Sequence, residues 1–420
     1  MRRTCLTLLA CLALGACRAA GEAAAAPAPE ELTYRLHYEL ALEPLRGVAV
    51  ASVTLEQSRH LLREARFSLS GQRWTGFTGE GETERRDGKL VWRPPESGGT
   101  LRWRVALVHA RGDAYDARLG ADWAVFRGED AFPAAATRTL KGAVSRSTLS
   151  IDAPRGWSVV TPYGEEDGRF VVVNPERRFD RPTGWMVAGD LGVRRDTIAG
   201  VSVAVAGPVD QGVRRVDALA LLNWTLPEVV RLIPGFPDRL TVVSAGDPMW
   251  RGALSAPDSL YVHADRPLIS GNGTSTLLHE LMHIALGRDT AHGDDWILEG
   301  LAEYYSVEIL RRTGTVTPKR NRASLADLAR WGEQSDGLRR RHSTGATTAR
   351  AAGVFRELDR EIRERTGGDG SLDEVLRRLA GGGGPLDLDE LRAAAGAVIG
   401  APSRVLASKE FREALGDPAE

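Results

Sequence analysis

The sequence predicts an α+β protein, with an N-terminal antiparallel β domain followed by a mainly helical domain. Three observations carry that prediction. Residues 34–42 alternate, with Tyr34, Leu36, Tyr38, Leu40 and Leu42 on one face and mostly polar residues between them, as in a half-buried strand. After residue 274 the apolar spacing becomes almost entirely helical. That helical stretch opens on a buried-helix pattern that carries His279-Glu280-Leu281-Met282-His283.

The first seventeen residues form a unit of their own. Met1-Arg2-Arg3 is basic, residues 6–14 are apolar, and small residues follow, which is the layout of a secretory signal. The run Leu14-Gly15-Ala16-Cys17 resembles a bacterial lipobox, in which Cys17 becomes the lipidated first residue. Cys5, Cys11 and Cys17 are the only cysteines, so the folded part carries no thiol and needs no disulfide in an oxidising compartment. The expected location is the cell envelope, with a lipid anchor to the membrane. Arg18 after the cysteine suggests the outer membrane, facing the periplasm, in a cell that has one. Residues 18–30 read as an Ala/Pro tether.

Residues 31–207 read as the β domain. Further strand patterns at 48–55, 65–69, 89–92 and 101–109 are separated by turn signals such as Asp87-Gly88. Residues 208–420 read as the second domain. It opens with helical spacing at 213–233, interrupted at Pro227, and short strands follow at 239–243 and 259–263. The metal-helix candidate at 276–286 precedes helices at 294–312, 324–334 and 347–365. Ser371-Leu372-Asp373-Glu374 is a capping box opening another helix. A formal charge of −1 gives no electrostatic reason to expect a nucleic-acid partner.

The chemistry lies in two neighbouring helices. Residues four apart on a helix stand nearly above one another, about 6 Å along the axis, so His279 and His283 can face one metal ion. Glu280 stands beside them as a base for a metal-bound water. A carboxylate from the next helix completes a three-ligand catalytic zinc site, and Glu299 in Trp296-Ile297-Leu298-Glu299-Gly300 is the candidate, sixteen residues after His283. Glu303, one turn on, is placed to accept a hydrogen bond from a ligand histidine. One zinc ion per chain and peptide-bond hydrolysis follow from these residue types.

These residues resemble the gluzincin clan of metallopeptidases. Within it, residues 247–305 and 358–379 are most similar to the glycyl-aminopeptidase-like family, in which a β domain precedes a thermolysin-like catalytic domain. The resemblance implies His279, His283 and Glu299 as zinc ligands, Glu280 as general base, and a peptide or protein substrate. It also implies a glutamate that holds the substrate's amine where this chain has Arg251-Gly252-Ala253-Leu254-Ser255-Ala256, so Ser255 stands in that place. The backbone of Gly252 and Ala253 is expected to pair with an extended substrate. The family's oxyanion tyrosine aligns with Thr348, and His342 is the expected substitute donor, a surface histidine being the competing reading. Two other functions remain open: a zinc-binding homologue of low or no activity that acts as an envelope binding protein, and a zinc hydrolase of non-peptide esters or amides.

Overall fold

A computed structural model describes residues 32–69, 73–173, 179–340 and 342–416. The signal segment, with Cys17, and the tether lie outside these residues. The expected α+β architecture is present: a multi-sheet β half precedes a helical half, and among the described residues the strands form four sheets.

The first strand, Thr33–Glu43, sits inside a seven-stranded sheet. Tyr34, Leu36, Tyr38, Leu40 and Leu42 are all buried, as their period of two requires. The strand pairs antiparallel with Val48–Glu56 but parallel with Val144–Asp152, so the β half is not wholly antiparallel. A partner about a hundred residues away leaves no hairpin signal in the sequence. Trp74 and Trp103 each donate an indole N–H to the carbonyl of Ala131; Phe132 packs edge-on against Trp103 and Tyr38, and Phe179 edge-on against Tyr38 and Phe67.

The fourth sheet crosses the boundary read at residue 207. Leu191–Ile198 and Val201–Pro208 form a hairpin, yet Val201–Pro208 pairs in parallel with Arg239–Ala245, which pairs in parallel with Ser259–His263. The helix Arg215–Leu232 makes the crossover. Val203, Val205, Leu240 and Val242 on one face of the sheet pack against Leu222, Leu226 and Val229 of this helix. On the other face Ala206, Val243, Ala245 and Tyr261 join Val125, Trp185 and Val187 of the β half in one core. The Trp185 backbone N–H also donates to Ser259 Oγ at 2.7 Å. One sheet therefore serves as a wall for both halves, and the switch to helical periodicity does not mark the division.

Helix Arg215–Leu232 runs through Pro227 without a break. Pro227 lies on the exposed face, as does Asn223, whose carbonyl it leaves without the helical N–H. The strand Ala253–Ala256 forms the sheet's free edge, antiparallel to Ser259–His263. Against this sheet lies helix Thr276–Leu286, followed by Asp295–Arg312, Pro318–Gly332, Ala346–Arg365, Leu372–Ala380, Leu388–Ile399 and Lys409–Leu415. The capping box at Ser371 forms as expected.

The end of helix Asp295–Arg312 is fastened by an ion network. Arg312 donates to Glu228, Glu308 and Asp373, which joins three helices, and its side chain is 14% exposed. Burial alone would raise the Glu308 and Asp373 carboxyls; hydrogen bonds from Arg311 and Arg312 to Glu308, and from Arg312 to Asp373, hold both below the ordinary range. Glu228 is lowered first by Arg231 and then by Arg312. Carboxyls lowered in the folded state stabilise it fully above the ordinary carboxylate range, and that contribution is lost as the pH falls through their folded-state values. Arg312→Ala removes the cation shared by the three carboxylates while Arg231 and Arg311 stay on Glu228 and Glu308, and the expected loss is about 1.5–3 kcal/mol in denaturant unfolding at neutral pH. The deficit should shrink as the pH drops below the carboxylate range. A neutral-pH loss below about 1 kcal/mol would assign the network no more than surface ion pairs contribute.

Candidate metal centre

Helix Thr276–Leu286 is fixed at both ends. Ser275 Oγ caps its N-terminus by accepting from the Leu278 N–H, and Gly287 closes it in the left-handed region at φ 59° while donating to the His283 carbonyl. Leu277, Leu278, Leu281 and Met282 bury one side, which turns His279 and His283 towards a cleft. The next helix begins at Asp295, and Glu299 and Glu303 sit one turn apart on the side facing those histidines.

The described residues bring one group of candidate ligands together: His279, His283 and Glu299. His279 Nε2 lies 3.1 Å from His283 Nε2, and each lies 3.3 Å from a Glu299 carboxylate oxygen. Bonds of about 2.0–2.1 Å from tetrahedral zinc to N and O ligands place neighbouring donors about 3.3 Å apart, so the triad fits that ion. Glu303 Oε2 lies 3.0 Å from His279 Nδ1. With the Nδ1–H donating to this carboxylate, the Nε2 lone pair is left for a cation.

The electrostatics agree. Burial works against a charged imidazole at His279, but Glu299 and Glu303 override it and hold the pKa well above the usual value. Burial also works against the Glu299 carboxylate, and the two histidines drive its pKa far below the ordinary range. The three donors form a pocket that demands positive charge at its centre.

Glu280 is buried, and its Oε2 accepts the Ser255 backbone N–H at 2.8 Å. Ser255 therefore touches the candidate base through its main chain. Along the edge strand, the Gly252 carbonyl accepts from the His263 N–H, inside the sheet. Alternation then turns the N–H and C=O of Ala253 and Ser255 outward, to the cleft. Of the two residues expected to pair with substrate, Ala253 has its backbone facing the cleft, while the Gly252 carbonyl is engaged. Gly252 has a packing role as well, because a Cβ there would meet the Trp250 ring at 2.1 Å.

His342 is exposed and is not among the residues lining the cleft. The loop instead brings in Ser343, Thr344 and Gly345, with the Ser343 N–H donating to Asp295 Oδ2 at 2.6 Å. Thr348 lines the cleft, and its hydroxyl donates to Glu299 Oε2 at 3.5 Å. Gly300 accounts for that approach: a Cβ there would lie 2.6 Å from Ala351 Cβ, so only glycine lets the helix bearing Thr348 come so near. The Tyr304 and Tyr305 hydroxyls are committed to Asp359 and Asp373, and burial keeps them protonated. Sequence reasoning missed the contribution of Asp295 and of Trp331, a half-exposed aromatic on the cleft wall. A large apolar residue on the polar side of helix Pro318–Gly332 is the signal that marks Trp331. His292 is exposed and off the cleft.

Comparison with solved structures then bears on the fold. An aminopeptidase N family protein from Idiomarina loihiensis superposes with a TM-score of 0.64 at 14% identity, over 88% of this chain and 72% of that one. An M1 zinc metallopeptidase from Deinococcus radiodurans, a mutant bound to a Tyr-Ser-Ala substrate, gives 0.59 at 17% identity, over 92% and 94%. Native leukotriene A4 hydrolase from Saccharomyces cerevisiae gives 0.57 at 14%, over 93% and 68%. The fold is that of the M1 zinc metallopeptidases. No family model and no curated protein matches the sequence.

The hydrogen bond to His279 defines a test of the site. Glu303→Gln should weaken zinc binding by about 10–100-fold, measured by competition with a chelator, while leaving the far-UV spectrum unchanged. Unchanged zinc affinity would remove Glu303 from the metal centre.

Proposed function

We propose that the protein is a zinc-dependent metallopeptidase that hydrolyses peptide bonds with Glu280 as general base. The observation that carries this reading is the convergence of His279, His283 and Glu299 at 3.1–3.3 Å, with Glu280 beside them. The M1-type fold supports the broader assignment to gluzincin peptidases. The narrower likeness to the glycyl-aminopeptidase-like family rests on residues 247–305 and 358–379 alone.

When bound, zinc supplies an electrophile that polarises the scissile carbonyl and acidifies the attacking water. The chain's own groups do the rest. Glu280, its Oε2 held by the Ser255 N–H, takes the proton released as water adds to the carbonyl carbon and returns it to the leaving nitrogen as the C–N bond breaks. Ala253 offers an outward N–H and C=O to an extended substrate, which fixes the scissile bond along the edge strand. Glu303 holds His279 in one tautomer.

A second reading has one observation in its favour. Among the described residues lining the cleft there is no tyrosine, and Thr348 occupies the position where the resemblance implies one. A zinc protein that binds peptides in the envelope but turns them over weakly or not at all would show that pattern, since one oxyanion donor is worth roughly 10²–10³ in rate.

Zinc analysis followed by peptide hydrolysis separates the two. The wild type should hold one zinc per chain and cut peptides, and Glu280→Gln should keep the zinc while losing about 10²–10⁴-fold in kcat. Full zinc occupancy with no Glu280-dependent cleavage of any peptide would leave the binding role. We further infer export and lipid anchoring at Cys17, on the strength of the signal pattern at residues 1–17. Cys17→Ala should move the protein from the membrane fraction to the soluble fraction, and unaltered membrane retention would discard the anchor.

A further inference from the structure

We propose that the cleft binds an extended polypeptide on both sides of the metal centre and that the protein cuts internal bonds, as an endopeptidase; this rests on the peptidase reading above. The first support is the shape of the cleft. It encloses about 1750 Å³, well beyond the roughly 300–1,000 Å³ of a site built for one small ligand. It also continues past both ends of the edge strand Ala253–Ala256. Beyond Gly252 it is walled by Arg266, which donates to the Arg251 carbonyl, and by Ser270 and Gly271, whose carbonyls accept from Arg320. Beyond Ala256 it runs between Ile233–Pro237 and the Gly381–Gly384 run. Arg377 fixes the first of these walls through the Leu232 carbonyl, and Arg288 fixes the second through the Gly383 and Gly384 carbonyls. The metal ligands lie between the two ends. A trough lined on both sides of the candidate ligands has room for chain on either side of the scissile bond.

The second support is the charge inventory around the scissile position. A free α-amine next to that bond would need a carboxylate, because an ammonium group taken out of water without a partner costs several kcal/mol. Among the described residues, each carboxylate beside the candidate metal centre already has an occupant. Glu280 holds the Ser255 N–H, Glu299 meets both histidines, Glu303 meets His279, and Asp295 holds the Ser343 N–H. The edge strand presents Ser255, a neutral side chain, beside Glu280. The remaining carboxylates on the cleft wall, Asp258 and Asp289, lie past the end of the edge strand and past the Gly287 cap of the metal helix. An amine that reached either would belong to a chain already extending beyond the metal. What the site offers next to the bond is outward backbone at Ala253, which suits an uncharged amide on either side.

The zinc-loaded full chain should be assayed on matched quenched peptides, one series N-acetylated and C-amidated and the other with a free amine, and on single aminoacyl amides. Blocked peptides should be cut at internal bonds, identified by mass spectrometry, with kcat/KM within about threefold of the free-amine series, and aminoacyl amides should react at least about 100-fold more slowly. Stepwise release of one or two residues from free N-termini, with blocked peptides uncut, would overturn the proposal while leaving the peptidase reading intact. No cleavage of any substrate with zinc bound would remove both. Ser255→Glu adds the missing acid, and it should lower the ratio of blocked to free-amine cleavage by about tenfold or more at unchanged zinc content. A ratio unmoved by that substitution would overturn the assignment of the preference to Ser255.

Discussion

Three electron-pair donors held 3.1–3.3 Å apart are the constraint on which the helical half depends. Two imidazole lone pairs and a carboxylate do not gather in a half-buried place by mutual attraction; a proton or a metal ion must stand among them. The scaffold has to supply the order that such a cluster lacks, and it does so on both sides. Leucines of Thr276–Leu286 are driven into the core that the fourth sheet shares with the helices, and Asp295–Arg312 is pinned at its far end by Arg312. Gly300, at the point of closest approach, lets a third helix in behind Glu299. A glycine inside a helix costs roughly 0.5–1 kcal/mol relative to alanine, and here it fixes the packing distance from which Thr348 reaches the ligand carboxylate.

The metal helix was legible because its information is local. The spacing of His279 and His283 states the geometry outright once the segment is known to be helical. Glu299 and Glu303 are one further helix away, joined by a loop short enough to leave little choice of partner. The parts that escaped are those set by pairing across distance. The parallel ladder between Val201–Pro208 and Arg239–Ala245 lies across a crossover helix, so the sequence placed a boundary inside a continuous sheet. Pro227 was read as a break because composition does not reveal that it and Asn223 lie on the exposed face. His342 was assigned by position along the chain, whereas its loop is placed by the Asp295 carboxylate taking the Ser343 N–H, a contact between residues 48 apart.

The same local–distant contrast explains why the candidate metal centre is better defined than the rest of the cleft. A ligand set needs only three atoms at correct spacing, and a helix repeat supplies two of them. A subsite is a surface assembled from segments with no common period: the edge strand, the loop after Arg266, the Ser343–Gly345 turn and Trp331. Serine in place of an acid at position 255 can be read from the sequence as an absence. Its meaning emerges only where the neighbouring carboxylates are seen to be engaged already.

Arg288 follows the cap of the metal helix directly, and its guanidinium, 5% exposed, grips the Leu379, Gly383 and Gly384 carbonyls together with Glu390. Four consecutive glycines would ordinarily be the most pliable stretch in a chain. Clamped in this way they behave as masonry, mortared to the same helix that carries the two histidines. The width of the trough and the placement of the two histidines are therefore linked through one side chain. A shift of the glycine wall is carried through Arg288 to the helix that bears His279 and His283.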